Sequence, residues 1–183
     1  KALKNFKEVV RKYPNSPDAL EAVANARNIY IDSGNVDEYV AWIKNLKFIN
    51  VENSDIDNTR FATAEKQYLE GTDSRSKISS LLSYIRNFPE GIHILKANFY
   101  LAQTYYKSKS YKVAIPFYEY VIEQGQNDFS EESLSRLSQI YLFEEDYVNA
   151  IPLLDRLEQE AYSSENVMFA QSNLMQGYYK TDA

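Results

Sequence analysis

Apolar residues recur along this chain at helical spacing, and one pair of them recurs with a much longer period. Tyr30, Tyr68, Tyr105, Tyr141 and Tyr178 lie 38, 37, 36 and 37 residues apart, and four positions ahead of each stand Ala26, Ala64, Leu101, Leu137 and Leu174. A separation of four places both members on one face of a helix, so each run carries the same apolar stripe toward its neighbours. Short polar turns follow the first four tyrosines: DSGN at 32–35, EGTD at 70–73, KSKS at 107–110 and FEED at 143–146. They end in Asn35, Asp73, Ser110 and Asp146, residue types that cap helix N-termini.

A second helix follows each of these turns. YKVAIPFYEYVIE (111–123) and YVNAIPLLDRLEQ (147–159) align Ala114 with Ala150, Pro116 with Pro152 and Val121 with Leu157. A small residue where helices cross lets backbones approach, and an interior proline removes one helical hydrogen bond and bends the helix. The earlier segments VDEYVAWIKNL (36–46) and SRSKISSLLSYI (74–85) diverge, yet keep the stripe in Ile43 and Leu46 and in Ile78, Leu82 and Ile85. The pattern predicts helices over 1–13, 17–32, 36–48, 55–70, 74–87, 92–108, 111–124, 130–143, 147–160 and 165–180. Grouped by hairpin, these read as one array over 1–183. It comprises the second helix of an upstream repeat (1–14), a repeat at 17–50, a divergent one at 55–88, repeats at 92–125 and 129–161, and the first helix of a truncated or capping repeat at 165–181. Opening on a second helix is expected of a piece of a longer protein.

The period, the small and aromatic positions, and above all LAQTYYKSKSYKVAIPFYEYVIE (101–123) make the chain resemble the tetratricopeptide repeat family. The likeness is strongest over 92–160 and weakest over 55–87, where Glu65 stands in place of a small residue. It implies an all-α fold, a right-handed α-solenoid of about ten helices in antiparallel hairpins. The stretch ALKNFKEVVRKYPNSPDALEAVANARNIYIDSG (2–34), with a YPxS turn at Tyr13, Pro14, Asn15 and Ser16, is also similar to bacterial cell-envelope members of the family. That similarity favours a periplasmic or envelope-associated location over a cytoplasmic one.

Composition narrows the chemistry. With 5 glycines and 5 prolines the chain has too few turn residues for an all-β sandwich, and no apolar run approaches the roughly 18 residues that a membrane-spanning helix needs. The absence of cysteine excludes disulfides, thiolate metal sites and a cysteine nucleophile. A net charge of −6 argues against nucleic acid, whose phosphates demand clustered Lys and Arg. The single histidine, His93, has no GxSxG elbow or other triad partner in view and is read as a helix-start or surface residue. Acidic pairs such as Glu131–Glu132 and Glu144–Glu145–Asp146 lack calcium-loop spacing and read as solvated faces, and scarce glycine leaves no phosphate cradle. No catalytic residue, metal or cofactor is expected.

What remains is binding. In the family the first helices of successive hairpins line the concave surface. Two residues before the repeat tyrosines stand Asn28, Lys66, Gln103, Gln139 and Gln176, and five before them Asn25, Thr63, Tyr100, Arg136 and Asn173. Amide side chains both donate and accept, so a ladder of them suits the backbone of an extended peptide. With Lys96, Phe99 and Tyr106, these residues form the expected groove for a peptide or protein partner. The Lys/Asn set by which chaperone-binding members clamp a C-terminal carboxylate falls here on Ala24, Asn28, Thr63, Lys96 and Tyr100, where too few residues match although Lys96 keeps one element.

The third hairpin holds Phe99, Tyr100, Tyr105, Tyr106, Tyr111, Phe117, Tyr118 and Tyr120, too many for one buried stripe, so some are expected to be exposed. That expectation supports a second reading, a carbohydrate- or cell-wall-binding module stacking sugars on tyrosine. Charge is uneven as well, basic from Arg75 to Lys112 and acidic from Asp128 to Glu160, an arrangement that orients partners or favours head-to-tail association. The last helix, with Met168, Leu174 and Tyr178 on its stripe, is expected to be a self-associating end.

Overall fold

The computed structural model describes residues 1–50 and 52–181, and among them every regular element is an α-helix. In chain order these are α1 (Ala2–Lys12), α2 (Pro17–Ser33), α3 (Val36–Ile43), α4 (Asn53–Glu70), α5 (Ser74–Asn87), α6 (Ile94–Lys107), α7 (Tyr111–Glu123), α8 (Ser130–Phe143), α9 (Tyr147–Glu160) and α10 (Ser164–Thr181). Most ends fall within two residues of those the hydrophobic pattern predicts. The exception is α3, which stops at Ile43 instead of running to 48. There the Asn45 side chain donates to the Ala41 carbonyl at 2.7 Å, while the Asn45 and Leu46 amides step to the tighter i−3 partners Trp42 and Ile43. A side chain that competes for a helix carbonyl weakens the next turn, and here the helix stops there.

The repeat tyrosines have a second job besides packing. In three hairpins the tyrosine carbonyl accepts from the amide five residues on: Asn35 to Tyr30 at 3.0 Å, Ser110 to Tyr105 at 2.9 Å and Asp146 to Tyr141 at 2.9 Å. Closing this wide turn needs a left-handed residue just before the donor. Gly34 (φ 73°), Lys109 (φ 60°) and Glu145 (φ 57°) supply it. In the divergent hairpin Gly71 is extended (φ −62°) and its amide returns to Gln67 instead. Of the predicted caps, Asp73 accepts from Ser76 N at 3.0 Å and Asp146 from Asn149 N at 3.2 Å, whereas Asn35 and Ser110 make no side-chain cap bond.

The described chain forms two compact units, Lys1–Ala97 and Asn98–Ala183. In the first, Val10, Ala19, Ala22, Val23, Tyr30, Val36, Tyr39, Val40, Ile43 and Ile56 make a core shared by α1 to α4. In the second, Ala102, Ala114, Tyr118, Leu134, Leu137, Ile140, Ala150, Leu154, Leu157, Ala170 and Leu174 do so across α6 to α10. Each fully buried leucine there contributes on the order of 1.5–3 kcal/mol. Ala114 and Ala150 have no exposed surface, as residues at close helix crossings must, and α7 and α9 continue through the solvent-facing Pro116 and Pro152.

Two expectations are corrected by the packing. Of the eight aromatics of the third hairpin Tyr118 is fully buried and the other seven are half-buried, because several of the rings cover one another. Tyr105 stacks on Phe117 at 5.7 Å, Tyr106 meets Tyr111 at 5.2 Å, and Phe99 lies on Phe129 at 4.7 Å. On α10, Leu174 is buried against α9 rather than displayed, whereas Met168 and Tyr178 are exposed together with Met175 and Tyr179.

Candidate functional site

In the first unit the face of α2 and α4 is largely tied up within the protein. Arg27 Nε donates to Thr59 Oγ1 at 2.7 Å, joining the two helices. Thr63 turns back to the Thr59 carbonyl at 3.1 Å. Lys66 is ion-paired with Asp32 and, at 3.7 Å, with Glu70, and Lys96 pairs with Glu65 at 2.6 Å while its ammonium lies 5.8 Å from the Phe61 ring centre. Glu65, out of place as a repeat small residue, thus serves as a counter-ion. Of the two asparagines on α2, Asn25 is half-buried and Asn28 exposed. A polar groove of about 270 Å³ opens nearby along Arg60, Thr63, Ser79, Ser83 and Asn87, but the Arg60 guanidinium there is already neutralised by Asp37.

The most constrained spot of this unit is one the sequence pattern did not single out. Asp57 is buried, accepting from the Tyr84 hydroxyl and from the Ile92 amide at 2.8 Å, and the His93 amide donates to the same Tyr84 oxygen at 3.2 Å. Burial first, and then the Asp57 carboxylate, push the Tyr84 phenol above its ordinary value. His93 sits just ahead of α6, half-buried, with its ring stacked on Phe61 at 4.3 Å and its Nε2 2.7 Å from Asn58 Oδ1. It is a packing residue of the α5–α6 connection, and the partner of its ring nitrogen is the Asn58 amide oxygen. Asp57 lies at the stripe spacing of Phe61 and Ala64, four and seven residues on, and a lone acid in an apolar stripe was the signal available for it.

In the second unit α6 and α8 bring four of the expected groove residues together. Tyr106 donates its hydroxyl to Gln139 Oε1 at 2.8 Å, and Arg136 Nη1 reaches the same oxygen at 3.2 Å. The Arg136 guanidinium lies 5.0 Å from the Tyr106 ring centre, and its Nε donates to Glu132 at 2.8 Å. Partial burial works against its charge, yet the Glu132 contact outweighs it and raises the guanidinium pKa. Gln103 is only 6% exposed and its amide donates to Glu132 at 3.3 Å, a contact made inside the protein. Phe99 and Tyr100 are half-buried in the aromatic layer, Asn173 donates back to the Phe169 carbonyl at 2.7 Å, and Gln176 is exposed.

Beside this cluster Tyr106, Tyr111, Gln139, Ile140 and Phe143 line a notch of about 140 Å³. Tyr111 and Phe143 meet edge to face at 6.0 Å, and Phe143 forms the rim with 77% of its surface exposed. Phe143 opens the FEED segment, which reads as a polar turn, and an apolar residue at the head of such a turn was the available sign. Among the described residues no three His, Asp or Glu side chains converge as metal ligands, and no helix is long and apolar enough to cross a membrane.

Hairpins of this form define a class: the chain has a tetratricopeptide-like helical repeat fold. Solved structures agree. The chain is similar to a candidate kinesin light chain from Podosopora anserina with nearly identical TPR-like repeats, at 17% identity and a TM-score of 0.51, over 92% of this chain and 89% of that one. A variant of that protein carrying one substitution gives 16% identity and a TM-score of 0.51 over 89% and 86% of the two chains. No protein-family pattern and no curated protein sequence matches the chain.

Proposed function

We propose that the chain is a non-enzymatic interaction scaffold that holds a peptide or protein partner against the first helices of its hairpins. The observation that carries this reading is the α6–α8 cluster, where Tyr106, Arg136 and Gln139 are held in one fixed array beside an open aromatic notch. A prearranged surface loses little entropy when a partner binds, and tyrosine and arginine are the residues that most often anchor such contacts. The repeat fold supports the same reading, since stacked hairpins present extended faces. The YPxS turn at Tyr13 to Ser16 supports placing the chain in a larger bacterial envelope protein. In the structure Ser16 caps α2 by accepting from Ala19 N at 3.1 Å.

The test is selection from a random peptide library on the intact chain, followed by titration of the winners against Tyr106→Ala, Gln139→Ala and the exposed control Gln171→Ala. Loss of affinity by tenfold or about 1.4 kcal/mol in the first two, with the control unchanged, is the expected result. Binders indifferent to both variants, or a glycan array showing Tyr106-dependent sugar binding with no peptide selected, would overturn it.

A further inference from the structure

We infer that the outward face of α10 is a self-association seam, on which α10 of a second copy of the chain packs antiparallel. The inference stands apart from the α6–α8 surface, and either can fail alone.

The spacing points to a helical occupant. Glu165, Met168, Ser172, Met175 and Tyr179 follow one another at intervals of three, four, three and four, and all are exposed, Met168, Met175 and Tyr179 to 60%, 77% and 81%. That is the alternation of a coiled-coil seam, which keeps facing one partner helix over successive turns. It is separate from the inner stripe of Ala170, Leu174 and Gly177, which is buried. One flank is already tied to α9, where the Gln171 amide donates to Glu158 at 2.9 Å and the Tyr178 hydroxyl to Asp155 at 3.2 Å.

Charge and size then select a second copy. The seam carries an acid in its first turn, Glu165, and a lysine beside its last, Lys180; both are exposed, and neither makes an ion pair among the described residues. A parallel copy would set like charges against each other. With a two-fold axis between Asn173 and Leu174, each Glu165 instead comes within about 3 Å along the helix axis of the level of the other copy's Lys180. The helix dipoles then oppose each other as well. In the same register Met168 of one copy faces Tyr179 of the other, and Ser172 faces Met175. The small serine leaves room for the long, adaptable methionine, and the two-fold makes every such contact twice. An 18-residue helix is about 27 Å long, and a single seam of that length offers less than the roughly 800 Å² per partner of a standard stable interface. The dimer is therefore weak.

The experiment is sedimentation equilibrium of the intact chain from about 5 to about 500 µM, a range in which a weak dimer forms and dissociates. The wild type is expected to pass from monomer to dimer, and Met175→Lys, which sets a charge on the seam, to weaken association at least about tenfold. Glu165→Lys and Lys180→Glu should each weaken it a fewfold, and the double exchange should restore it, because opposite charges meet again. Circular dichroism checks that each variant keeps its fold. Since the chain has no cysteine, introduced ones report orientation: Met168→Cys mixed with Tyr179→Cys should give a mixed disulfide dimer under mild oxidation, and neither variant alone should. A monomer throughout, a dimer indifferent to Met175→Lys, no recovery in the double exchange, or Met168→Cys chains that link to one another as readily as to Tyr179→Cys overturns the inference. A chain that stays monomeric yet binds a synthetic heptad-repeat helix peptide at α10 overturns it too, and assigns the seam to a different helix.

Discussion

The Tyr84 hydroxyl donates to the carboxylate of Asp57, a buried acid on the facing helix, and the α5–α6 connection hangs on that contact. Asp57 also takes the Ile92 amide and Tyr84 takes the His93 amide, so two side chains satisfy the backbone of a segment with no regular structure. Removing one partner leaves a buried acceptor short. Tyr84→Phe is therefore expected to destabilise the first unit by about 1–3 kcal/mol in urea unfolding. Gly91→Val should act on the same spot, since a Cβ there would lie 2.5 Å from the Tyr84 oxygen and 3.0 Å from Asp57. Combined, the two changes should cost less than the sum of each alone, because they break one network.

The left-handed turn residues allow a gain. Lys109 and Glu145 occupy the conformation that Gly34 occupies in the first complete hairpin, at a cost for side-chain-bearing residues of roughly 1–2 kcal/mol. Glycine gives part of that back through unfolded-state entropy. Lys109→Gly and Glu145→Gly are each expected to raise stability by about 0.5–1 kcal/mol, read as a higher melting temperature. Lowered stability in both would mean that neither turn is strained.

These turns also mark how far the sequence speaks. The period of the five tyrosines and the i−4 stripe were enough to place the helices, because burial of a stripe is a local, periodic requirement. That the tyrosine carbonyl closes the turn was visible only at Gly34, the one hairpin where glycine advertises the left-handed position. Contacts between distant residues left fainter traces. Gln103 reads as a groove amide by spacing, yet it is buried on Glu132 because α6 and α8 lie close enough for the pair to form. The aromatic notch needed Phe143, hidden at the head of an acidic turn, and no helical period reports which ring of Tyr105 and Tyr106 faces it.

Gly177 sits inside α10, where a glycine costs about 1 kcal/mol of helix propensity relative to alanine. The structure gives its reason: a Cβ would lie 3.0 Å from Ile151 Cγ1 on α9. Gly177→Val should push the helices apart and lose about 1–3 kcal/mol by overpacking. Adding Ile151→Ala should recover part of that loss, since it clears the atom in the way. No recovery in the double variant would place the cause in the helix backbone instead.

Glu131 links the start of α8 to the N-terminal end of α10 and makes stability depend on pH. Its carboxylate accepts from Tyr162 N at 3.0 Å, Ser163 N at 3.1 Å and Asn166 Nδ2 at 2.7 Å. Burial by itself raises its pKa, but the three donors outweigh it and hold the group below its ordinary value. A helix N-terminus favours the same negative charge. Because the folded-state pKa is lowered, the contribution is complete above the unfolded carboxyl pKa near 4.3 and is lost as pH falls through the folded value. Glu131→Gln is accordingly expected to cost about 1 kcal/mol at pH 7, a value already reduced for solvent screening. The gap between variant and parent should close on acidification, because the protonated parent then carries the same charge as the variant. Thermal unfolding of the pair from pH 7 to pH 3 checks this, and a gap that stays constant over that range would mean that the carboxylate charge contributes nothing to holding α10.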